Sequence, residues 1–319
     1  MTASPRVFVV ASYMRDVSVG VDRFPVPGET RVGGDALESH GGKGSNQAIQ
    51  AARCGAHVAL VAALGADAAG RAALDLWAEE GIDAAGAVAR AGHATGLALI
   101  VVDGAGQNQI VIAPGSNSTL LPADVDAARD PIEAADLVIA QLETPLDATV
   151  RAFELARAAG VQTLLNAAPA PQSPPTRVLA LTDILVANEI EAAMLCGEAP
   201  DADPLALGRS LLRRVGIAVV ITIGAEGALL FLKDQAPVRR AAPRVTVQDS
   251  TGAGDAFVGA FGACWAAARD PHRALAMGVA AGSLACTRRG VVPALAGRDA
   301  IEEAMHHRAQ APAPAAVAP

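Results

Sequence analysis

Aromatic side chains are scarce in this sequence, with six Phe, two Trp and one Tyr among 319 residues. A core must therefore be assembled from aliphatic residues and alanine, a composition suited to helices packed closely on a buried sheet. Cysteine is scarcer still. Cys54, Cys196, Cys264 and Cys286 are scattered and form no CxxC pair, so they read as small core residues of a protein kept in a reducing cytoplasm. The longest apolar run, Ala256 to Ala268, has 13 residues, short of the roughly 18 a membrane helix needs. Residues 1–12 lack the basic start and small-residue cleavage site of a secretory signal. Basic charge is in deficit, 25 Lys and Arg against 33 Asp and Glu for a net charge of -8, which argues against a nucleic-acid partner. Apolar residues make up 52% of the chain and charged ones 18%, enough for a sizeable core in one large domain or two small ones.

Short β-branched runs alternate with helical patterns that end at glycine, the sign of crossover units and a parallel sheet with helices on both faces. Val7 to Val10 is the first predicted strand. Ser45 to Cys54 reads as a helix stopped by Gly55, Val58 to Leu64 as a strand, and Ala68 to Glu80 as a helix stopped by Gly81. The alternation then breaks at two β-rich runs, Thr95 to Val102 and Gln109 to Ile112, around a hairpin turn at Asp103-Gly104-Ala105-Gly106. With the Pro- and Gly-punctuated stretch from Val19 to Gly34, they could form a small separate sheet. The alternation resumes with strands at Leu137 to Ala140, Thr163 to Leu165, Ile184 to Val186, Ala218 to Ile223 and Gly227 to Leu232. A helix from Leu146 to Ala159 and a proline-rich loop from Pro169 to Pro175 stand among them, and two Ala/Gly-rich helices, about Gly254 to Ala268 and His272 to Ala285, close the fold. Residues 310–319 contain only Ala, Pro, Val and Gln, a composition that predicts a disordered tail.

Two segments carry chemistry. Asp249-Ser250-Thr251-Gly252-Ala253-Gly254-Asp255 stands where a β-rich run gives way to a long apolar helix. Small residues before a helix let backbone N–H groups converge on an anion, and the helix dipole favours the same charge. Asp255 at the edge of that cradle could take a proton from an attacking hydroxyl; a glycine-rich turn capped by Asp255 is the plain alternative. Gly41-Gly42-Lys43-Gly44-Ser45-Asn46-Gln47 also precedes a helix and offers a cation, an amide and bare backbone together, a set that can hold several hydroxyls. It lacks the Walker A spacing, and no GxGxxG follows the first strand, so a dinucleotide-binding oxidoreductase loses its main support.

These segments resemble, in this order, the ribokinase family, also called the PfkB sugar kinases. Phe24 to Thr30 stands before them, and Gln141 to Pro145, Asn166 to Ala170, Asn188 to Glu191 and Thr222 to Gly227 stand between them, each like a ribokinase segment at its expected place. The resemblance implies a ribokinase-like three-layer α/β/α sandwich, a single domain over 1–309, with a central mostly parallel sheet and a small β-sheet lid from about 17–40 and 95–117. It implies ATP-dependent phosphorylation of the 5-hydroxymethyl group of a pentose, D-ribose first, by a cytoplasmic homodimer paired through its lids. Asp255 would be the base, with Gly252, Ala253 and Gly254 as the anion hole, and Met14, Asp16, Gly42, Lys43, Asn46 and Glu143 would stand around the sugar. Asn188, Thr222, Ile223, Gly224, Ala225, Glu226 and Gly227, with Gly254, match nucleotide-binding positions. Glu191 matches an acidic position that organises Mg2+ through water, a solvated helix-face charge being the plain alternative.

Three positions depart from the family. Met14 stands where an amide is expected, two residues before Asp16, and Arg15 follows it, which puts ribose in doubt and keeps a nucleoside or another sugar open as the acceptor; a non-catalytic sugar sensor is a further alternative. Asp249, Thr251, Ala285, Arg288 and Gly290 match the ligands of an activating K+, whereas Ala294 stands where a serine hydroxyl is usual. Val279 replaces a histidine that approaches the adenine, which leaves apolar contact alone.

Overall fold

The computed structural model describes residues 4–170 and 173–306. Its strands are β1 (Arg6–Val10), β2 (Met14–Gly20), β3 (Ala36–Gly41), β4 (His57–Gly65), β5 (Asp83–Arg90), β6 (Gly96–Val102), β7 (Asn108–Ala113), β8 (Leu137–Ala140), β9 (Gln162–Asn166), β10 (Ile184–Asn188), β11 (Ala218–Thr222), β12 (Ala228–Leu232) and β13 (Val238–Arg240). Nine of them form one sheet in the order β13-β12-β11-β10-β9-β8-β1-β4-β5, parallel except at β12 and β13. The other four form a small sheet in the order β3-β2-β6-β7.

Successive side chains of a strand point to opposite faces, and on β1 both faces are buried. Val7 and Val9 join a core with Trp77, Phe257 and Phe261, while Phe8 and Val10 join a second core with Phe153 and Phe231. Helices Lys43–Arg53, Ala68–Glu79, Ala253–Ala268 and Pro271–Ala285 cover the first face, and Leu146–Ala158, Glu189–Cys196 and Pro204–Leu212 the second. The result is the three-layer α/β/α arrangement expected from the glycine-stopped helices and β-branched runs. Helix Ala253–Ala268 packs so closely that a Cβ on Gly259 would lie 2.6 Å from the Gln47 carbonyl oxygen, which is why a chain with few aromatics fills its core with Ala and Gly.

Several parts of the fold differ from expectation; the helices Val291–Ala294 and Arg298–His306 follow the two Ala/Gly-rich helices expected to close it, and β13 adds a short strand. The stretch from Val19 to Gly34 is mostly loop, and its small-sheet strands flank it as β2 and β3, paired from Met14 and Gly41 to Val19 and Ala36; Pro25 and Pro27 lie in the loop that joins them, where no ladder N–H is needed. The small sheet therefore begins at Met14 rather than near Val17. Strand β5 was not expected at all. It is the edge of the large sheet beside β4. No helix among the described residues is long and apolar enough to cross a membrane. The predicted disordered tail at 310–319 and the middle of the proline-rich loop lie outside the described residues.

The topology points to one end of the large sheet. Chain order runs outward in opposite directions from β1 and β8, which are neighbours, and in open α/β sheets ligands bind beyond the carboxyl ends of strands at such a switch point. Ser12 follows β1 and Gln141 follows β8 at that crevice.

Candidate active site

Helix Ala253–Ala268 begins on Gly252, whose φ of 79° is left-handed. A Cβ there would also meet Val291 at 2.4 Å, so glycine is required on two counts. The first N–H groups of a helix lack acceptors within it; of the three small residues, Ala253 already directs its N–H to the Ser250 carbonyl at 3.3 Å. Asp255 lies in this first turn and is 7% exposed. Its Oδ2 accepts from Asn46 Nδ2 at 2.9 Å and its Oδ1 from Gln47 Nε2 at 3.0 Å. The two glycine-rich segments, some 200 residues apart in the chain, thus meet at one carboxylate.

The loop before helix Lys43–Arg53 supplies the rest of this side. Gly42 has φ 90°, and a Cβ would lie 2.7 Å from the Tyr13 Cα, so the loop lies directly on the chain leaving β1. Glu143 Oε2 accepts from the Ser12 hydroxyl at 2.6 Å and the Lys43 N–H at 2.8 Å. Burial raises the Glu143 carboxyl above the usual range, with the Lys43 charge opposing. The Lys43 ammonium is held above its usual value by Asp255, then by Glu143 and Glu191. Asn46 Oδ1 is buried without a partner, an acceptor that a ligand hydroxyl would satisfy. Met14 is 3% exposed, while Arg15 faces outward and pairs with Glu38 on β3.

Burial, then the charges of Glu143 and Asp255, push the Asp16 carboxyl from 3.8 up to about 7. Because the folded value lies above the unfolded one, ionised Asp16 opposes folding: the cost is small near pH 4, grows as pH rises through the interval and is complete above about pH 7. Asp16→Asn should therefore stabilise the protein by roughly 1–3 kcal/mol at pH 8, and by clearly less at pH 5. Equal gains in melting temperature at the two pH values would show that Asp16 does not titrate in this way.

The same helix start, through Gly254, borders a cavity of about 780 Å³ lined also by Asn188, Thr222, Gly224, Ala225, Gly227, Val279 and Cys286, among others. Asn188 Oδ1 accepts from the Glu191 N–H and Glu191 Oε2 accepts from the Asn188 N–H, both at 2.8 Å. Glu191 is 9% exposed, and burial raises its carboxyl; it is not a solvated helix-face charge. Ile223 and Glu226 do not join this cavity. They line a separate hollow of about 450 Å³ with Asp203 and Leu205, and Glu226 pairs with Arg239. Glu189 lines both hollows, so the turn from Thr222 to Gly227 stands between two adjoining spaces.

The segments expected to hold K+ are tied together. Asp249 Oδ1 accepts from the Thr251 N–H at 2.9 Å, Asp249 Oδ2 from the Gly290 N–H at 3.4 Å, and the Asp249 N–H donates to the Cys286 carbonyl at 3.3 Å. Ala285 and Ala294 are buried and Arg288 is exposed. Sequence reasoning gave no role to Ser12, Gln47, Gln141 or Asn166, all of which the structure builds into the site.

Residues 4–296 match the family described as pfkB family carbohydrate kinase. The ribokinase of Haemophilus influenzae is 35% identical over 301 residues, 94% of this chain and 98% of that protein. A bifunctional ribokinase/ribose-5-phosphate isomerase A of Fructilactobacillus sanfranciscensis is 39% identical over 259 residues, 80% of this chain, and the chain spans 48% of that longer protein. A deoxyribokinase of Salmonella typhimurium is 31% identical over 286 residues, 89% of this chain and 93% of the relative. Among solved structures, Arabidopsis thaliana ribokinase complexed with ribose and ATP superposes with a TM-score of 0.89 at 26% identity, covering 96% of this chain and all of that one.

Proposed function

The chain belongs to the pfkB family of carbohydrate kinases, and from that premise we propose that it transfers the γ-phosphoryl group of magnesium ATP to the 5-hydroxymethyl group of a pentose, D-ribose in the first reading. The observation that carries this is the adjacency of Gly254 and Asp255: Gly254 lines the large cavity, and Asp255, the next residue, is held by Asn46 and Gln47 of the Gly41 to Gln47 segment. Asp255 takes the proton of the acceptor hydroxyl as its oxygen bonds to phosphorus and ADP departs. The N–H groups around Gly252 and Gly254 stabilise the charge in flight. Asp16, Gly42, Lys43, Asn46 and Glu143 hold the sugar; Asn188, Thr222, Gly224, Ala225 and Gly227 hold the nucleotide; Glu191 organises its Mg2+ through water.

The small sheet serves as a lid, whose closure excludes water as a competing acceptor. Its exposed Leu37, Leu99 and Val111 favour pairing with the lid of a second copy. A carboxylate and backbone carbonyls on two tethered segments suit K+, with Asp249, Thr251, Ala285, Arg288 and Gly290 as its holders. A cation there would steady the loop carrying Gly252. Ala294→Ser should then steepen the dependence of activity on potassium, and superimposable titrations would exclude the position.

A release assay for ADP with D-ribose, 2-deoxy-D-ribose, hexoses and nucleosides tests the reading. Acceptor-dependent ADP release is expected with a pentose; none with any acceptor would overturn it. Buried Met14 favours a second reading, an acceptor with one hydroxyl fewer, such as 2-deoxyribose. An amide at this place would serve a hydroxyl that a thioether cannot. Met14→Asn should shift kcat/KM toward ribose relative to 2-deoxyribose by about fivefold, the weight of roughly 1 kcal/mol for one net hydrogen bond. An unchanged ratio would mean that Met14 does not touch the discriminating hydroxyl.

A further inference from the structure

Behind Asp255 stands a chain of three buried amides that none of the catalytic roles above uses. Gln47, Gln141 and Asn166 are 0%, 1% and 7% exposed. Asn166 Nδ2 donates to the Val186 carbonyl at 3.3 Å; Asn166 Oδ1 accepts from Gln47 Nε2 at 2.9 Å; the same Nε2 donates to Asp255 Oδ1 at 3.0 Å; and Gln47 Oε1 accepts from Gln141 Nε2 at 2.8 Å.

The direction of this chain is set from one end. A backbone carbonyl can only accept, so Asn166 must turn its NH₂ to Val186 and its oxygen to Gln47. Gln47 then must present NH₂ to Asn166, and the second hydrogen of that NH₂ reaches Asp255. Its own oxygen is left for Gln141, which secures the side chain from the opposite side. A flip of Gln47 would set its oxygen against two acceptors at once and leave the Gln141 donor unpaired, at about 1–3 kcal/mol for each buried group. Gln47 therefore has one orientation, anchored in β9 and β10 rather than in its own helix.

We propose that Gln47 is a positioning residue: the Val186–Asn166–Gln47–Gln141 chain fixes the carboxylate plane of Asp255, so that the lone pairs not taken by Asn46 and Gln47 face the acceptor hydroxyl. The inference rests on the reading of Asp255 as the base, because a carboxylate without a proton to take has no need of a fixed plane. Gln47 touches neither sugar nor nucleotide and acts through Asp255 alone.

The test is a double-mutant cycle read as the single-turnover rate at saturating ATP and acceptor. Gln47→Met keeps the length and loses the donor; misplacing a base by a fraction of an ångström should lower the rate roughly 10–100-fold, with both KM values within about threefold of wild type. In an Asp255→Asn background the same substitution should cost no more than about twofold, since nothing remains to be positioned. Equal losses in the two backgrounds, or a loss confined to KM, would overturn the proposal. Asp255→Asn by itself leaving the rate near wild type would instead sink the base assignment on which it rests. Should Gln47→Met lose its cooperative melting transition, Gln141→Leu carries the same cycle: a smaller loss of about three- to tenfold that vanishes with Asp255→Asn supports the chain, and one that persists refutes it.

Discussion

Asp255→Asn is expected to lower turnover by roughly 10²–10⁴, with ATP and acceptor affinities changed only a few-fold. The substitution is nearly isosteric. The new amide oxygen can still accept from Gln47, its NH₂ can be met by Asn46 once that side chain turns its unpartnered Oδ1 inward, and the helix start on Gly252 is untouched. What disappears is the ability to receive a proton while the acceptor oxygen attacks. The remaining rate would come from the N–H groups at the helix start and from the alignment of the two substrates, neither of which the substitution alters. Steady-state kinetics paired with calorimetric titration of ATP and sugar separate the two effects. Turnover within a few-fold of wild type would remove Asp255 from the mechanism; a loss shared by binding would mean that its charge serves to hold substrate.

Much of the architecture can be read from the chain because helices Lys43–Arg53, Ala68–Glu79 and Leu146–Ala158 stop just before Gly55, Gly81 and Gly160, and buried strands such as β1, β8 and β11 are rich in Val and Ile. Strand β5, Asp83–Arg90, has neither signal. It contains four alanines and one β-branched residue, and it pairs with β4 because small side chains admit it: a Cβ on Gly86 would lie 2.5 Å from the Leu60 carbonyl oxygen. Propensity says nothing where close approach decides. The site divides in the same way. Asp255, Lys43 and Asn46 sit in local motifs whose composition announces chemistry. The amide chain joins residues 119 and 94 positions apart, and no local pattern marks Gln141 or Asn166 as partners of Gln47. At Ile223 and Glu226 a motif taken as a block assigns every residue to one ligand, whereas the turn lies between two adjoining hollows that share Glu189.

Lys43→Ala should raise the acceptor KM by about 10–100-fold, the weight of roughly 1.5–3 kcal/mol for a hydrogen bond to a charged group, while the ATP KM moves much less. Lys43 is one of two lysines in the chain, and its ammonium feels the charges of Asp255, Glu143 and Glu191. Its backbone N–H already serves Glu143 and survives the substitution, so the loop keeps its anchor and the loss belongs to the side chain. The substitution also has a pH signature. Lys43 opposes the upward push of burial on both Glu143 and Glu191, so without it these carboxyls hold their protons to higher pH, and a protonated Glu143 is a poorer acceptor for the Ser12 hydroxyl and the Lys43 N–H. The acidic limb of the kcat/KM profile for the sugar should therefore move to higher pH in Lys43→Ala. Adding a primary amine of small size should restore part of the sugar affinity and return the limb toward wild type. If the ATP KM rises instead and the sugar KM holds, the ammonium serves the phosphates, and the Gly41 to Gln47 loop has been given the wrong partner.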